Sequence, residues 1–597
     1  MSKKIMAVLL SLILAFSVVA VPVGAADVEF TTGAVDVGNI VNLLLDKLIS
    51  VILKYLNMYW PGYEDSWSTT EEYVPENFYE GDKNFDESVQ PGAGWEVGYA
   101  SASLLDGVDE MNGDFYLAGS LEPIAGRVPS KVEDDQRVRV YAISDGVGGT
   151  MVHAVIDGFG LARGDVQTIR ERFKEFADKN NVTNVQVSVL HQHSCIDTLG
   201  MNVPLAQALI FNTGNAATGG LIDGQKVQIN QVFMENLFTK TVYCMKKAVA
   251  SMKEGTLFYG TADISDYIRD KRDPQAFDGN IHRLRFVPAD GTAETWIVEA
   301  GVHLMSYGAG GDILSGDFPI YIERTLKEEL GVNLVYVQGA ELAISMRTVD
   351  ICSECGEVPL IFKPIADLTE TYTIACPNGC LKTVADNAEG STYTSEDAKD
   401  YIKTVDNWNQ LSETGLSNES ALSYGKTMAK VLMNIRREQV VAPVLNIAMQ
   451  EVRLNVTNQI LTLAAREDVL NSVIVKNGNG YQLVTEIGYM ELGNEIAIFL
   501  CPGEFDPALV YGGPESGDAS WMGKDWTLPA LVEATDCENV MVYGLCNDQA
   551  GYVLRDNEYH SLLAENEEVN VISDTAGSTF VNAFISLIDE IKANTAA

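Results

Sequence analysis

Positive charge is scarce in this chain. Forty-one Lys and Arg stand against 83 Asp and Glu, for a net charge of −42 at pH 7. Such a surface repels nucleic acid and anionic lipid, so nucleic acid is not an expected partner. Histidine is scarcer still, at six in 597 residues. Beyond the first 26 residues no apolar run is long and uncharged enough to span a bilayer, so the mature chain is expected to carry no transmembrane anchor. The helix-borne zinc motif HExxH is absent, which excludes zincin-type chemistry. What remains is ordinary for a globular protein: 46% hydrophobic and 21% charged residues. That is ample for a core, and the length argues for several domains or one large domain with insertions.

The first 26 residues differ from the rest. MSKK supplies Lys3 and Lys4, an apolar run follows, and small residues Val23, Ala25 and Ala26 close the stretch. This is the pattern of a cleaved secretory signal peptide, so the protein is expected to be secreted or extracytoplasmic. Residues 27–92 divide in two. Within 38–60, Val41, Leu44, Leu48, Val51, Tyr55 and Met58 recur at helical spacing. The favoured reading is a helix packed on the main domain; a helix lying on a lipid or micelle surface is the alternative. Residues 61–92, rich in Gly, Pro, Asp, Glu and Tyr, read as an acidic linker.

From about residue 93 to 597, strand-like runs alternate with amphipathic helices. Residues 138–144, 151–160 and 185–190 read as strands, and 164–181 as a helix. Further apolar or amphipathic runs occupy 296–306, 320–331, 332–341, 496–505 and 540–548, and 580–597 reads as a final helix. The pattern predicts an α/β fold: a large mixed-sheet, partly parallel catalytic domain. Residues 385–440, rich in Ser, Thr, Asp, Asn and Glu, read as an insertion; with the cysteines before them it spans about 350–440.

Sites in α/β domains are built where strands give way to loops. His191 and His193 follow the strand VQVSVL, two residues apart, and can face the same side in extended chain. His303 in EAGVHLMSYG and Glu504 in FLCPGEFDP stand at similar junctions. Imidazole is the commonest zinc ligand, and a catalytic zinc needs three or four such groups with one position open. A pair of hydrogen-bonded polar residues is the competing reading for the two histidines.

Six segments in order resemble the neutral/alkaline (non-lysosomal) ceramidase family. VSVLHQHSCIDTLG is similar to that family's strand ending in THTHSGP, and IRDKRDPQAFDGNIHRLRF to its NRSPxAY…D…LRF segment. EAGVHLMSYGAGGDILSGDFPIYIERTLKEELG, NLVYVQGAELAIS, FLCPGEFDP and YGLCNDQAGYVLRDNEYH resemble its THPTS…SADFPGY, QGAxGDVSP, PGEFT and GLxNxYxxYITTxEEY segments. The resemblance implies a zinc-dependent amidohydrolase. It would cleave the N-acyl bond of ceramide or a related lipid amide, at a membrane or micelle surface, into fatty acid and long-chain amine. It implies His191, His303, Glu504 and Tyr552 as ligands of one catalytic zinc. It also implies His193 as proton shuttle, Arg272 and Tyr552 as oxyanion donors, and Ser345 as a positioning group or nucleophile. The departures fall on the substrate side: GDVSP has become LAISM, and ITTxEEY has become VLRDNEY. Two alternatives therefore stand beside the ceramide reading: a zinc amidase or esterase with a different substrate, and an inactive envelope binding module. The family's C-terminal immunoglobulin-like module is expected to be absent.

Cys352, Cys355, Cys376 and Cys380 form C-x2-C-x20-C-x3-C. Two such knuckles suggest a structural zinc ribbon, with two disulfides as the rival reading. Cys195, Cys244, Cys501, Cys537 and Cys546 are scattered; most read as small buried apolar residues, with Cys195 and Cys501 next to proposed ligands.

Overall fold

β-branched runs such as VTNVQVSV and TMVHAVI favour extended chain, and in the computed structural model they assemble into two large sheets. The structure describes residues 67–108, 115–119, 127–200, 202, 231–272, 275–307, 311–346, 418–466, 470–515, 525–559 and 570–595, with short pieces at 51–52, 54–55, 221–222, 225–226, 361–362, 372–375 and 382–384.

The first sheet runs Asn333–Gln338, Thr295–Ala300, Asn280–Pro288, Lys253–Asp263, Trp95–Ser103, Arg137–Ser144, Thr150–Ile156, Val182–Val189, with Gln439–Val440 added beside Lys253–Asp263. Its interior pairs are antiparallel. Its two outermost pairs are parallel, each closed by a crossover helix: Arg163–Lys179 at one edge and Asp317–Leu330 at the other. The sheet curls far enough that Asn333–Gln338 comes close to Thr150–Ile156 and Val182–Val189. Strand Thr150–Ile156, antiparallel to one neighbour and parallel to the other, is buried at every residue, as a strand covered on both faces should be.

The second sheet runs Leu445–Asn455, Gly480–Leu492, Ile496–Leu500, Asn539–Tyr543, with Ile474–Asn477 also on Gly480–Leu492. Its last pair is parallel. Helix Ala576–Thr595 packs on it through Phe580, Phe584, Leu587 and Ile591. A buried ion pair docks the halves. Arg170 of helix Arg163–Lys179 bonds Glu486 through both terminal nitrogens, at 2.5 and 3.1 Å, and donates to the Val185 carbonyl. Burial works against the Glu486 charge, but Arg170 and Arg163 outweigh it and hold its pKa below the usual value.

The α/β mixed-sheet expectation holds, with antiparallel pairing more prominent than the alternating runs suggest. Strands Arg137–Ser144, Val182–Val189 and Asn333–Gln338 match their expected runs within three residues. Four expected runs overrun: 151–160 ends at Ile156, 296–306 at Ala300, 496–505 at Leu500 and 540–548 at Tyr543, because the chain there turns into loops that carry side chains inward. Part of the expected acidic linker is laid along the second sheet. Thr69 pairs with Lys476 and Gly81 with Ala448, and buried Phe85 stacks on Tyr489 at 6.0 Å. The C-terminal part of the expected insertion belongs to the core: helix Asn418–Met433 packs Tyr424, Met428 and Leu432 beneath Asp317–Leu330, and Gln439–Val440 joins the first sheet. Polar composition hid the apolar stripe in both. The signal peptide, Cys352, Cys355, Cys376 and Cys380 lie outside the described residues, as does most of 38–60, where 51–52 and 54–55 are helical. No described helix is long and apolar enough to cross a membrane.

One strand of the first sheet carries a buried acid. Glu299 is 2% exposed, its Oε2 accepts no hydrogen bond, and that oxygen lies 3.9 Å from His282 Nε2. His282 is held by Asp278 at 2.6 Å and by the Tyr259 hydroxyl at 2.8 Å. Burial pushes Glu299 up from 4.5 to about 8, so the folded protein keeps a proton that the unfolded chain releases above pH 4.5. Stability then falls as pH rises between those values, by at most about 1.4 kcal/mol per pH unit from this group. Glu299→Gln removes that dependence. Urea midpoints of wild type and variant at pH 5 and pH 8 should show the variant gaining relative to wild type at the higher pH.

Candidate functional site

Three segments that leave the first sheet continue side by side past its strand ends. Gln192 bridges Leu304, His193 N–H donates to the Leu304 carbonyl at 3.1 Å, and His303 bridges Ser345. Two segments leaving the second sheet do the same: Glu504 and Tyr552 are register partners in a short parallel pair. Leu342 N–H reaches the Phe505 carbonyl at 3.3 Å and joins the two sets. His191, His193, His303, Ser345, Glu504 and Tyr552 are thus brought together from five loops at the ends of five strands.

The backbone is forced to make the turn. His191 has φ 56°, Ala343 63°, Leu545 44° and Asn547 66°, all in the left-handed region that costs a side-chain-bearing residue about 1–2 kcal/mol. Such strain persists only where the surroundings over-determine it, and here it lines one site. Asn547 is fixed by its side-chain oxygen, which accepts from Val187 N–H at 2.9 Å.

The histidines share one design. His191 Nδ1 donates to the Phe159 carbonyl at 2.9 Å, His193 Nδ1 to the Gly119 carbonyl at 2.9 Å, and His303 Nδ1 to the Glu341 and Ile344 carbonyls at 3.0 and 3.2 Å. Each carbonyl fixes the tautomer that leaves Nε2 with a bare lone pair. The rings stand 4.8, 5.1 and 5.5 Å apart, and Phe159 covers His191 at 4.4 Å. Burial pulls His191 down to about 4, although Glu504 opposes it, and His303 down to about 3, helped by the Lys271 charge. Burial and the neighbouring imidazoles take His193 well below its usual value. All three are neutral at physiological pH, which is the metal-binding form.

The donor set fits a divalent ion. Nε2 of His191 and of His193 is buried and makes no hydrogen bond. One Glu504 oxygen lies 3.2 Å from His191 Nε2 and 3.3 Å from His303 Nε2. Ligands on a tetrahedral ion with bonds of 2.0–2.1 Å stand about 3.3 Å apart. The other Glu504 oxygen accepts from Gln549 Nε2 at 3.0 Å, which aims the carboxylate.

Ser345 sits beside His303 in a short strand; it is buried and its hydroxyl makes no hydrogen bond. Tyr552 is half-buried and packs near Leu342 and Ala343. Arg272 holds two carboxylates, Asp506 and Glu558, the latter at 2.5 Å, and so ties the segments after Glu504 and after Tyr552. Cys195 and Cys501 are buried free thiols that burial pushes well above their usual pKa. Three residues escape a reading by sequence. Gln549 and Phe159 carry no signal of their own. Glu341 does, as an acid that ends an apolar strand: it is fully buried, and it groups with His191 and Glu504.

Among solved structures the fold matches the neutral ceramidase from Pseudomonas aeruginosa, with a TM-score of 0.52 and 14% identity over 85% of this chain and 75% of that one. It also matches a ceramidase complexed with C2, with a TM-score of 0.50 and 13% identity over 84% and 76%. The chain therefore has a neutral ceramidase-like fold, in agreement with the six-segment resemblance. No family model and no curated protein matches the sequence.

Gly119 lies against His193 with φ 110°, and a Cβ there would fall 2.5 Å from the His193 Cβ. Gly119→Ala should cost about 2 kcal/mol or more, from backbone strain and from displacing His193. The denaturant midpoint measures it.

Proposed function

We propose that this protein is a secreted zinc-dependent amidohydrolase that cleaves the N-acyl bond of ceramide or a related lipid amide. The observation that carries the reading is the meeting of His191, His303 and Glu504 at ligand spacing, with every Nδ1 tied to a backbone carbonyl. The fold likeness supports a ceramidase-like hydrolase, and the neutral, buried imidazoles support a metal. His191, His303, Glu504 and Tyr552 would hold the zinc. When bound, it supplies Lewis acidity and makes water acidic enough to attack an amide at neutral pH.

The protein groups then divide the remaining work. His193 Nε2 points into the site with no hydrogen bond, so it is the group to carry a proton to the leaving amine. Ser345 Oγ, also without a partner, orients the acyl carbonyl. Tyr552 is the choice for an oxyanion donor, because Arg272 is committed to Asp506 and Glu558 and shapes the wall on which Tyr552 stands. Cys352, Cys355, Cys376 and Cys380 would hold a second, structural zinc close in sequence to Ser345. The signal peptide reading places the enzyme outside the cytoplasm, where it would meet lipid amides at a membrane or micelle surface.

The test is zinc content and N-acyl hydrolysis on one preparation, with a fluorogenic ceramide and a panel of other N-acyl amides. Two zincs per chain with ceramide turnover are expected. Turnover of another amide instead would keep the mechanism and move the substrate, as the replacement of GDVSP by LAISM allows. One zinc and no turnover would favour a binding module. His191→Ala and Glu504→Ala should each abolish hydrolysis and lose one metal per chain; if both keep wild-type metal content, the assigned ligands are wrong.

A further inference from the structure

We propose that Glu341 is a further carboxylate donor to the ion held at His191, His303 and Glu504. The proposal rests on the metal reading above and makes this centre richer in oxygen than the ligand set given there. Glu341 follows strand Asn333–Gln338 and is fully buried. Its backbone carbonyl accepts from His303 Nδ1 at 3.0 Å and from Ile344 N–H at 2.7 Å. Its side chain is treated differently: neither carboxylate oxygen accepts a hydrogen bond. One of them lies 3.8 Å from His303 Nδ1, the nitrogen already given to the backbone carbonyls. A Glu341 oxygen, a His191 nitrogen and a Glu504 oxygen all lie within 4.8 Å of one another, close enough to share one ion after a small side-chain rotation.

Burial leaves Glu341 two resolutions, a retained proton or a cation, and the ligand-bearing neighbours favour the cation. A carboxylate sealed from water costs several kcal/mol unless charge or donors compensate it, and a second carboxylate alongside makes the cost larger. Elsewhere in the core Glu486 is compensated by Arg170 at 2.5 Å and by Arg163, whereas Glu299 keeps its proton; beside Glu341 the described neighbours in reach include His191, His303 and Glu504. A divalent ion satisfies both carboxylates at once. It also explains why one residue uses its carbonyl to orient a ligand and its side chain to face the same centre. With two carboxylates the donor set cancels the ion's charge and suits hard as well as borderline metals, so Mn²⁺ and Fe²⁺ should compete with Zn²⁺ better than at a histidine-rich site.

The experiment uses the full chain stripped of metal and reloaded with Zn²⁺ or Co²⁺ alone, in wild type, Glu341→Gln, Glu341→Asp and His191→Ala. Affinity is read by chelator competition, and coordination by the visible absorption of the Co²⁺ form. Glu341→Gln should weaken Zn²⁺ by at least about tenfold and shift the Co²⁺ bands. Glu341→Asp keeps the charge but withdraws it by one methylene, and should fall between; it serves alone if the Gln variant does not fold. Wild-type affinity and an unchanged Co²⁺ spectrum in the Glu341 variants, with His191→Ala still losing the ion, would overturn this proposal and leave the metal reading standing. No ion in wild type that depends on His191 would overturn both.

Discussion

The strip Gly544–Asn547 is what the rest of the structure depends on. It leaves the second sheet and is immediately claimed from three sides. Gly544 N–H donates to the Gln338 carbonyl at 2.8 Å, Cys546 N–H to Cys501 at 2.9 Å, and Asn547 N–H to Val187 at 2.7 Å. Leu545 N–H adds the Gly503 carbonyl at 3.2 Å. Four backbone bonds therefore register the ends of Val182–Val189, Asn333–Gln338 and Ile496–Leu500 against one another. Those are the strands whose loops carry His191, Ser345 and Glu504. Backbone hydrogen bonds in a dry interior tolerate little displacement, so the spacing of the donors follows from the spacing of the strands.

Buried polarity is arranged around that seam in two styles. Away from the site, charge is neutralised by charge. Arg170 meets Glu486, and Arg139 meets Asp157 at 2.7 Å and Glu323 at 2.6 Å. His153, in the same core, is satisfied by the Ser188 and Tyr141 hydroxyls and stays neutral, with burial pulling it down to about 3. Inside the site Nε2 of His191 and of His193 makes no hydrogen bond, as Glu299 Oε2 makes none in the first sheet. Native interiors rarely leave such atoms unmatched, and a bound group at the site would satisfy them.

Much of this was legible in the residues. His191, His193, His303 and Glu504 each follow an apolar run at a turn, and period-2 patterning with flanking Gly and Pro located most of the strands that deliver them. Three things were not legible, for different reasons. The antiparallel interior of the first sheet, as in Lys253–Asp263, alternates exposed and buried residues weakly enough to pass for loop. Residues 67–92 and 418–440 carry their few apolar anchors, Phe85 and Tyr424 among them, in polar surroundings, so composition spoke louder than position. The partners that aim the three histidines are carbonyls of Phe159, Gly119 and Glu341, and a carbonyl has no signature in a sequence.

The proposed ligands are also far apart along the chain. Roughly a hundred residues separate His191 from His303, two hundred more lie before Glu504, and Tyr552 comes later still. A chain made from its N-terminus owns two imidazoles long before it owns a carboxylate to set against them, and the last strand of the seam is among the last segments to emerge. Long-range contacts of this kind form late and slowly. An ion taken up at this centre would therefore report that both sheets have closed, and its occupancy would record completed folding as much as chemistry.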